Sequence, residues 1–193
     1  MWVLINHEND CFLFKEGYIR TSSTTYSINE NDIDNKFIHL TNNAIQQNSK
    51  NYGEFEEGNQ ISFSDFQNYL SQLYQSESIN FRNEIFPQMK NSIKDVLISV
   101  RNQINFNKRK FCYEIFGFDF IIDQDLNTWL IEVNTNPCLE ESSLLLKKLI
   151  PRMIDDTFKL TIDLIYPPNQ KDSKNSSIKV FPFEGYSDNE NMW

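Results

Sequence analysis

The chain has few residues that interrupt structure and few that bring chemistry of their own. Glycine and proline number only 5 and 6 in 193 residues, against 16 phenylalanines, 8 tyrosines and 3 tryptophans. That balance and length suit one domain with a real core. Cysteine occurs at Cys11, Cys112 and Cys138 alone. An odd, widely spaced set predicts a reducing compartment rather than a disulfide framework, and no C-x-x-C spacing offers a metal site. No apolar run is long enough to span a bilayer. The opening Met1-Trp2-Val3-Leu4-Ile5-Asn6 is too short for a signal peptide and lacks its basic start. Positive charge is the minority sign, 18 Lys and Arg against 27 Asp and Glu, for a net charge of −9. That field disfavours general nucleic-acid binding. There is no G-x-x-x-x-G-K nucleotide loop and no internal repeat. These absences predict a cytoplasmic protein without membrane or nucleic-acid partners.

What is present concentrates in one stretch. Phe118-Asp119-Phe120-Ile121-Ile122-Asp123 and Trp129-Leu130-Ile131-Glu132-Val133-Asn134 flank the polar Gln124-Asp125-Leu126-Asn127. The pattern predicts a β-hairpin with a four-residue loop. Asp123 then faces Thr128, and the same register sets Asp119 opposite Glu132. Paired residues share a face, and Asn134 joins them two positions on. Phe118, Phe120, Ile131 and Val133 are expected on the other, core-facing side. Two carboxylates facing each other repel, and a hard cation removes the conflict. Mg²⁺ takes oxygen ligands, keeps some waters and completes its shell with substrate phosphates. From spacing alone the alternative is a solvated outer face, which is routine for antiparallel sheets. A calcium loop starting at Asp123 is excluded, because Thr128 and Asn134 stand where its Gly and Glu belong.

Around that hairpin the pattern predicts an α+β fold, mostly antiparallel sheet packed with helices. Trp2–Ile5 and Cys11–Phe14 read as an opening hairpin whose second arm continues through Tyr18-Ile19-Arg20. Residues 35–60 read as irregular. Ser64, with Gln67 three later, reads as the capping box of a helix. Ile85, Met89, Ile93, Val96, Leu97, Val100 and Ile104 mark a longer helix over 82–104, with Pro87 near its first turn. Glu140 to Ile150 reads as a helix broken by Pro151, and a last helix runs from Ile154 to Ile165. The domain is expected to cover 1–168, with 169–193 a polar tail or linker.

Three separate motifs resemble the tubulin–tyrosine ligase-like family, in the family's order. They are Asn35-Lys36-Phe37-Ile38-His39-Leu40-Thr41-Asn42-Asn43, then Lys50-Asn51-Tyr52-Gly53 running into Glu56-Glu57-Gly58-Asn59, then the Phe116–Asn134 hairpin. The resemblance implies the C-terminal part of an ATP-grasp fold. It implies an enzyme that uses ATP and Mg²⁺ to activate a carboxylate as an acyl phosphate, which an amino-acid amine then attacks. The expected partners are tubulin or microtubules and a Tyr, Glu or Gly donor, which implies a cytoskeletal or ciliary setting. By motif matching, Asp119, Glu132 and Asn134 are the expected Mg²⁺ ligands. Thr41 and Asn42 are expected near the ATP phosphates, with His39 orienting their loop. No protein nucleophile is expected. The stretch from Lys50 to Asn59 looks closest to the tyrosine ligase itself.

The same resemblance implies an upstream half that supplies adenine contacts and phosphate-facing basic residues, and this sequence does not contain it. The chain is therefore expected to be inactive alone, as a fragment or half of such an enzyme. The alternative is a catalytically dead tubulin-binding module. A third reading is an ATP-grasp ligase with a small-molecule acceptor.

Overall fold

Strand pairing carries the architecture. The computed structural model describes residues 1–75, 78–168 and 180–193. The expected opening hairpin forms from β1 (Trp2–Asn6) and β2 (Cys11–Leu13). Strand β1 also pairs with β5 (Tyr113–Ile122), and β5 with β6 (Thr128–Asn134). The result is a four-stranded antiparallel sheet in the order β2-β1-β5-β6. Trp2, Val3, Leu4 and Ile5 are all buried, as a continuous apolar run requires when both faces of a strand are covered. Val3 and Ile5 pack with Phe118 and Ile93 of helix α4 (Phe86–Val100), whereas Trp2 packs with Leu146, Leu149 and Met153 of α5 (Leu144–Leu160). The sheet thus lies between two helices, and the protein is α+β.

Tyr18–Arg20 does not extend the first hairpin. It forms β3, which pairs with β4 (Gln60–Ser62) as a separate two-stranded sheet. The chain leaves the first sheet after Phe14, which is fully buried, and Gly17 passes under the Phe63 ring, where a Cβ would lie 2.6 Å from Cζ. The region read as irregular contains two single-turn helices, α1 (Lys36–His39) and α2 (Asn43–Gln46). Helix α3 (Phe63–Leu73) starts earlier than expected, capped by Ser62 in place of Ser64. The Ser62 hydroxyl accepts from the Asp65 N–H at 3.0 Å and donates to its carboxylate at 2.6 Å, because β4 runs straight into the helix. The 82–104 segment begins as a π-helical turn (Phe81–Ile85), and α4 follows with Pro87 in its first turn.

Two C-terminal expectations fail. Helix α5 continues through Pro151. The proline removes one N–H and costs about 3 kcal/mol in a helix interior. Leu149 and Ile150 before it and Arg152 and Met153 after it are all buried, so packing on both sides holds the helix together. A short α6 (Ile162–Ile165) follows. Nor is the C-terminus simply a tail. Residues 169–179 lie outside the described residues, but in 180–193 Met192 is fully buried, and Phe183, Tyr186 and Trp193 pack on the Trp2–Phe14 core. No helix among the described residues is long and apolar enough to cross a membrane.

Candidate functional site

The loop carrying His39, Thr41 and Asn42 is shaped by buried amides. Gln46, fully buried, donates to the Leu40 carbonyl at 2.6 Å and accepts from the Ser23 N–H at 2.9 Å. Asn59, also buried, donates to the Ser23 hydroxyl at 2.8 Å and accepts from the Gly53 N–H at 2.8 Å. It adopts a left-handed backbone, with φ 53°, which Asn tolerates better than most residues. Tyr52 links the two stretches by donating to the Asn43 side chain at 2.7 Å. The two sequence motifs are therefore one polar scaffold, and satisfied buried networks of this kind hold a single geometry. Thr21, directly after β3, joins it by donating to Glu56 at 2.7 Å.

On this scaffold the His39 Nε2 donates to the Asp32 carbonyl at 3.1 Å, and the ring meets Tyr26 edge-on. Asn42 is the N-cap residue of α2, but its side chain makes no capping bond. Among the described residues neither the Thr41 hydroxyl nor the Asn42 side chain has a hydrogen-bond partner. The self-bonded turn that such residues commonly make is not formed here.

In the hairpin Asp119 pairs with Glu132, and Gly117 with Asn134. Opposed residues have Cβ atoms about 4.5–5.5 Å apart. Asn134 donates to Glu132 Oε1 at 3.1 Å, so these two side chains share a face. The register further out is not the expected one. Thr128 faces Ile122 instead of Asp123, and a β-bulge between Asp119 and Phe120 leaves Ile131 unpaired. The cause is the turn. The Asp123 carboxylate accepts from the N–H groups of Asp125 and Asn127 and from the Trp129 indole at 2.9 Å. The indole bond is the first cause holding this carboxyl below its ordinary range. Asp123 is thereby drawn into the loop, and the bulge absorbs the displaced residue. Ile131, expected in the core, is 61% exposed, and Leu130 packs inward in its place. Val133 is only partly covered as well.

Sequence alone gives Arg20 no role. Its guanidinium donates to Asp119 Oδ2 at 2.7 Å, and both side chains are about three-quarters buried. The alternation of Tyr18 and Arg20 along β3 is the one local signal of an inward-facing position. Arg20, Asp119, His39 and Thr41 border one open cleft of about 660 Å³, whose walls include Ile121 and Ile131. Asn42, Glu132 and Asn134 lie outside its lining.

The donor set decides whether a cation fits. Among the described residues, Asp119 Oδ1, Glu132 Oε2 and Asn134 Oδ1 carry no hydrogen bond. These are oxygen donors from two carboxylates and an amide, and such a set suits a hard cation. No cluster of three or more His, Cys, Asp or Glu able to hold a metal occurs among the described residues. The set depends on the amide of Asn134 as its third member.

Comparison with known proteins shows the family. The model of the tubulin-tyrosine ligase family matches residues 1–174. Tubulin glycylase 3D of Tetrahymena thermophila is 36% identical over 169 residues, covering 84% of this chain and 16% of that protein. Tubulin glycylase 3B of the same organism is 34% identical over 152 residues, covering 79% and 12%. The probable tubulin polyglutamylase TTLL9 of Bos taurus is 34% identical over 149 residues, covering 77% and 31%. The chain thus spans less than a third of each of these relatives. All three are glycylases or a polyglutamylase by name, and none is the tyrosine ligase that the Lys50–Asn59 stretch is expected to resemble.

Proposed function

The chain belongs to the tubulin-tyrosine ligase family, and from that premise we propose that it forms the cation-binding, phosphate-facing part of an ATP-dependent ligase. The reaction would join an amino acid to a carboxylate of a tubulin-type protein, and the fold would be the C-terminal portion of an ATP-grasp domain. Glycine or glutamate is the favoured donor, following the names of the relatives. One observation carries the proposal. Asp119 borders the cleft shared with Thr41 and His39 while pairing across the strands with Glu132.

Asp119, Glu132 and Asn134 would hold Mg²⁺. The ion would offset the negative charge of substrate phosphates. The remaining work falls to the chain's own side chains. Arg20 screens Asp119, so two opposed carboxylates can coexist. The unpartnered Thr41 hydroxyl and Asn42 amide can donate to phosphate oxygens without adding charge. Ile121 and Ile131 give the open cleft an apolar wall beside these polar groups. No protein nucleophile is needed, because positioning and electrostatics supply most of the catalysis in phosphoryl transfer.

A second reading has one observation in its favour. A carboxylate already paired with Arg20 needs no metal, as in a binding module that has lost catalysis. The discriminating assay uses a chimera in which this chain replaces the matching 169-residue stretch of glycylase 3D. ATP-dependent incorporation of labelled glycine or glutamate into tubulin is expected. Tubulin binding without incorporation would favour the binding module.

The phosphate-facing loop has its own test. In the chimera, Thr41→Val and Asn42→Leu are expected to weaken ATP binding while thermal stability changes little. If these side chains serve only the local turn, stability should instead fall by about 0.5–2 kcal/mol with ATP affinity unchanged. Nucleotide titration beside melting curves separates the two.

A further inference from the structure

Residues 180–193 lie beyond the 174 residues matched by the family model, yet they are tied to the fold by directed bonds. The anchor is Arg152 in α5, 1% exposed and paired with the fully buried Asp156 at 2.9 Å. A buried guanidinium must satisfy its remaining N–H groups. Arg152 does so on the carbonyls of Phe181 and Ser187, at 2.9 Å each, and of Glu190. Asp156 in turn accepts from the Met192 N–H at 3.0 Å. The Trp193 indole donates to the Met153 carbonyl and the Thr157 hydroxyl.

The other side of this segment grips the crossing between the two sheets. Lys15 donates its N–H to the Met192 carbonyl at 2.8 Å, and its ammonium pairs with Glu190 at 2.6 Å. The Tyr186 hydroxyl donates to Glu16 at 2.7 Å, and Arg82 bonds both Glu16 and Tyr186. Arg82 also lies over the Phe63 and Phe86 rings. Trp193 meets Phe14 edge-on at 4.9 Å, Phe14 meets Trp2, and Trp2 meets Tyr18, two residues before Arg20.

We propose that residues 180–193 act as a clasp that fixes the Phe14–Gly17 junction between the sheets and so holds Arg20 of β3 against Asp119 of β5. Tyr186 and Arg152 are positioning residues, since they reach the site only through the junction. The consequence for the site rests on the proposed function, whereas the clasp itself does not.

Hydrogen exchange on the intact chain tests the clasp without reference to ligation. The double variant Tyr186→Phe/Trp193→Ala removes the Glu16 bond and the edge contact with Phe14. Exchange in residues 14–20 is expected to rise roughly tenfold, as local opening would produce, while the distant 122–128 turn keeps wild-type protection. The single variant Tyr186→Phe should show the same pattern more weakly, which covers the case of a double variant that does not fold. Wild-type protection of 14–20 in a folded double variant would overturn the clasp. So would equal loss of protection at 14–20 and 122–128 in Tyr186→Phe.

Discussion

Glu132→Gln is expected to lower ATP-dependent ligation in the glycylase 3D chimera by about 10²–10³-fold, the usual cost of losing one preorganised electrostatic group. The substitution keeps the shape of the side chain and removes its charge. It preserves the pairing with Asp119, which is a backbone register. It also leaves an oxygen to accept from Asn134, as Glu132 Oε1 does at 3.1 Å. Glu132 is exposed on an edge strand, so folding should be little affected. Thermal stability should even rise slightly, because one of two facing carboxylates is gone. A rate loss with unchanged or improved stability is the signature of a charge kept for a ligand. Wild-type ligation in Glu132→Gln would remove Glu132 from the site.

The second large effect is structural. Arg152→Ala should destabilise the chain by about 3–5 kcal/mol, since it strands a buried partner charge. Asp156 is fully buried, and Lys159, at 3.0 Å from Oδ1, is its remaining cationic partner. The carbonyls of Phe181, Ser187 and Glu190 lose a donor together. Against a typical total of about 5–15 kcal/mol, that loss is a large fraction of the fold's stability. Asp156→Ala should cost a similar amount. The double variant should cost less than the sum, because neither partner is left unpaired by the other's removal. Urea titrations of the three variants measure this. A change under about 1 kcal/mol for Arg152→Ala would mean that the ion pair is not the anchor of the C-terminal segment.

Much of the fold and of the candidate site is legible where period and pairing decide structure. The first hairpin and the burial of Trp2–Ile5 follow from alternation and a continuous apolar run. The Asp119–Glu132 pairing follows from spacing too, but two departures compensate to give it. The turn begins at Asp123 rather than Gln124, because the carboxylate finds four donors there, the Asn127 side-chain amide among them. The bulge at Ile131 restores the register that a plain four-residue loop would have given. Local hydrogen bonding and a long-range pair constrain the same strand, and spacing shows only the second.

Other features depend on contacts between residues far apart in sequence. Arg20 and Asp119 are 99 positions apart, and nothing local announces their 2.7 Å bond. Pro151 reads as a helix end because it lacks an N–H. Burial of its neighbours overrides that local rule. Residues 180–193 read as a tail because they have no periodicity. A segment held by a buried arginine on its carbonyls needs none, since its backbone bonds go to side chains instead of to a helix or a ladder.

The most direct test of the cation site is Mn²⁺ binding to the intact chain, followed by paramagnetic broadening of backbone resonances. Broadening centred on Asp119, Glu132 and Asn134 and falling off with distance from them is expected, at Mn²⁺ concentrations that leave the far side of the protein unperturbed. Glu132→Gln should abolish that selectivity. Broadening spread over exposed acids, with Glu132→Gln titrating as wild type, would contradict a cation site built from Asp119, Glu132 and Asn134.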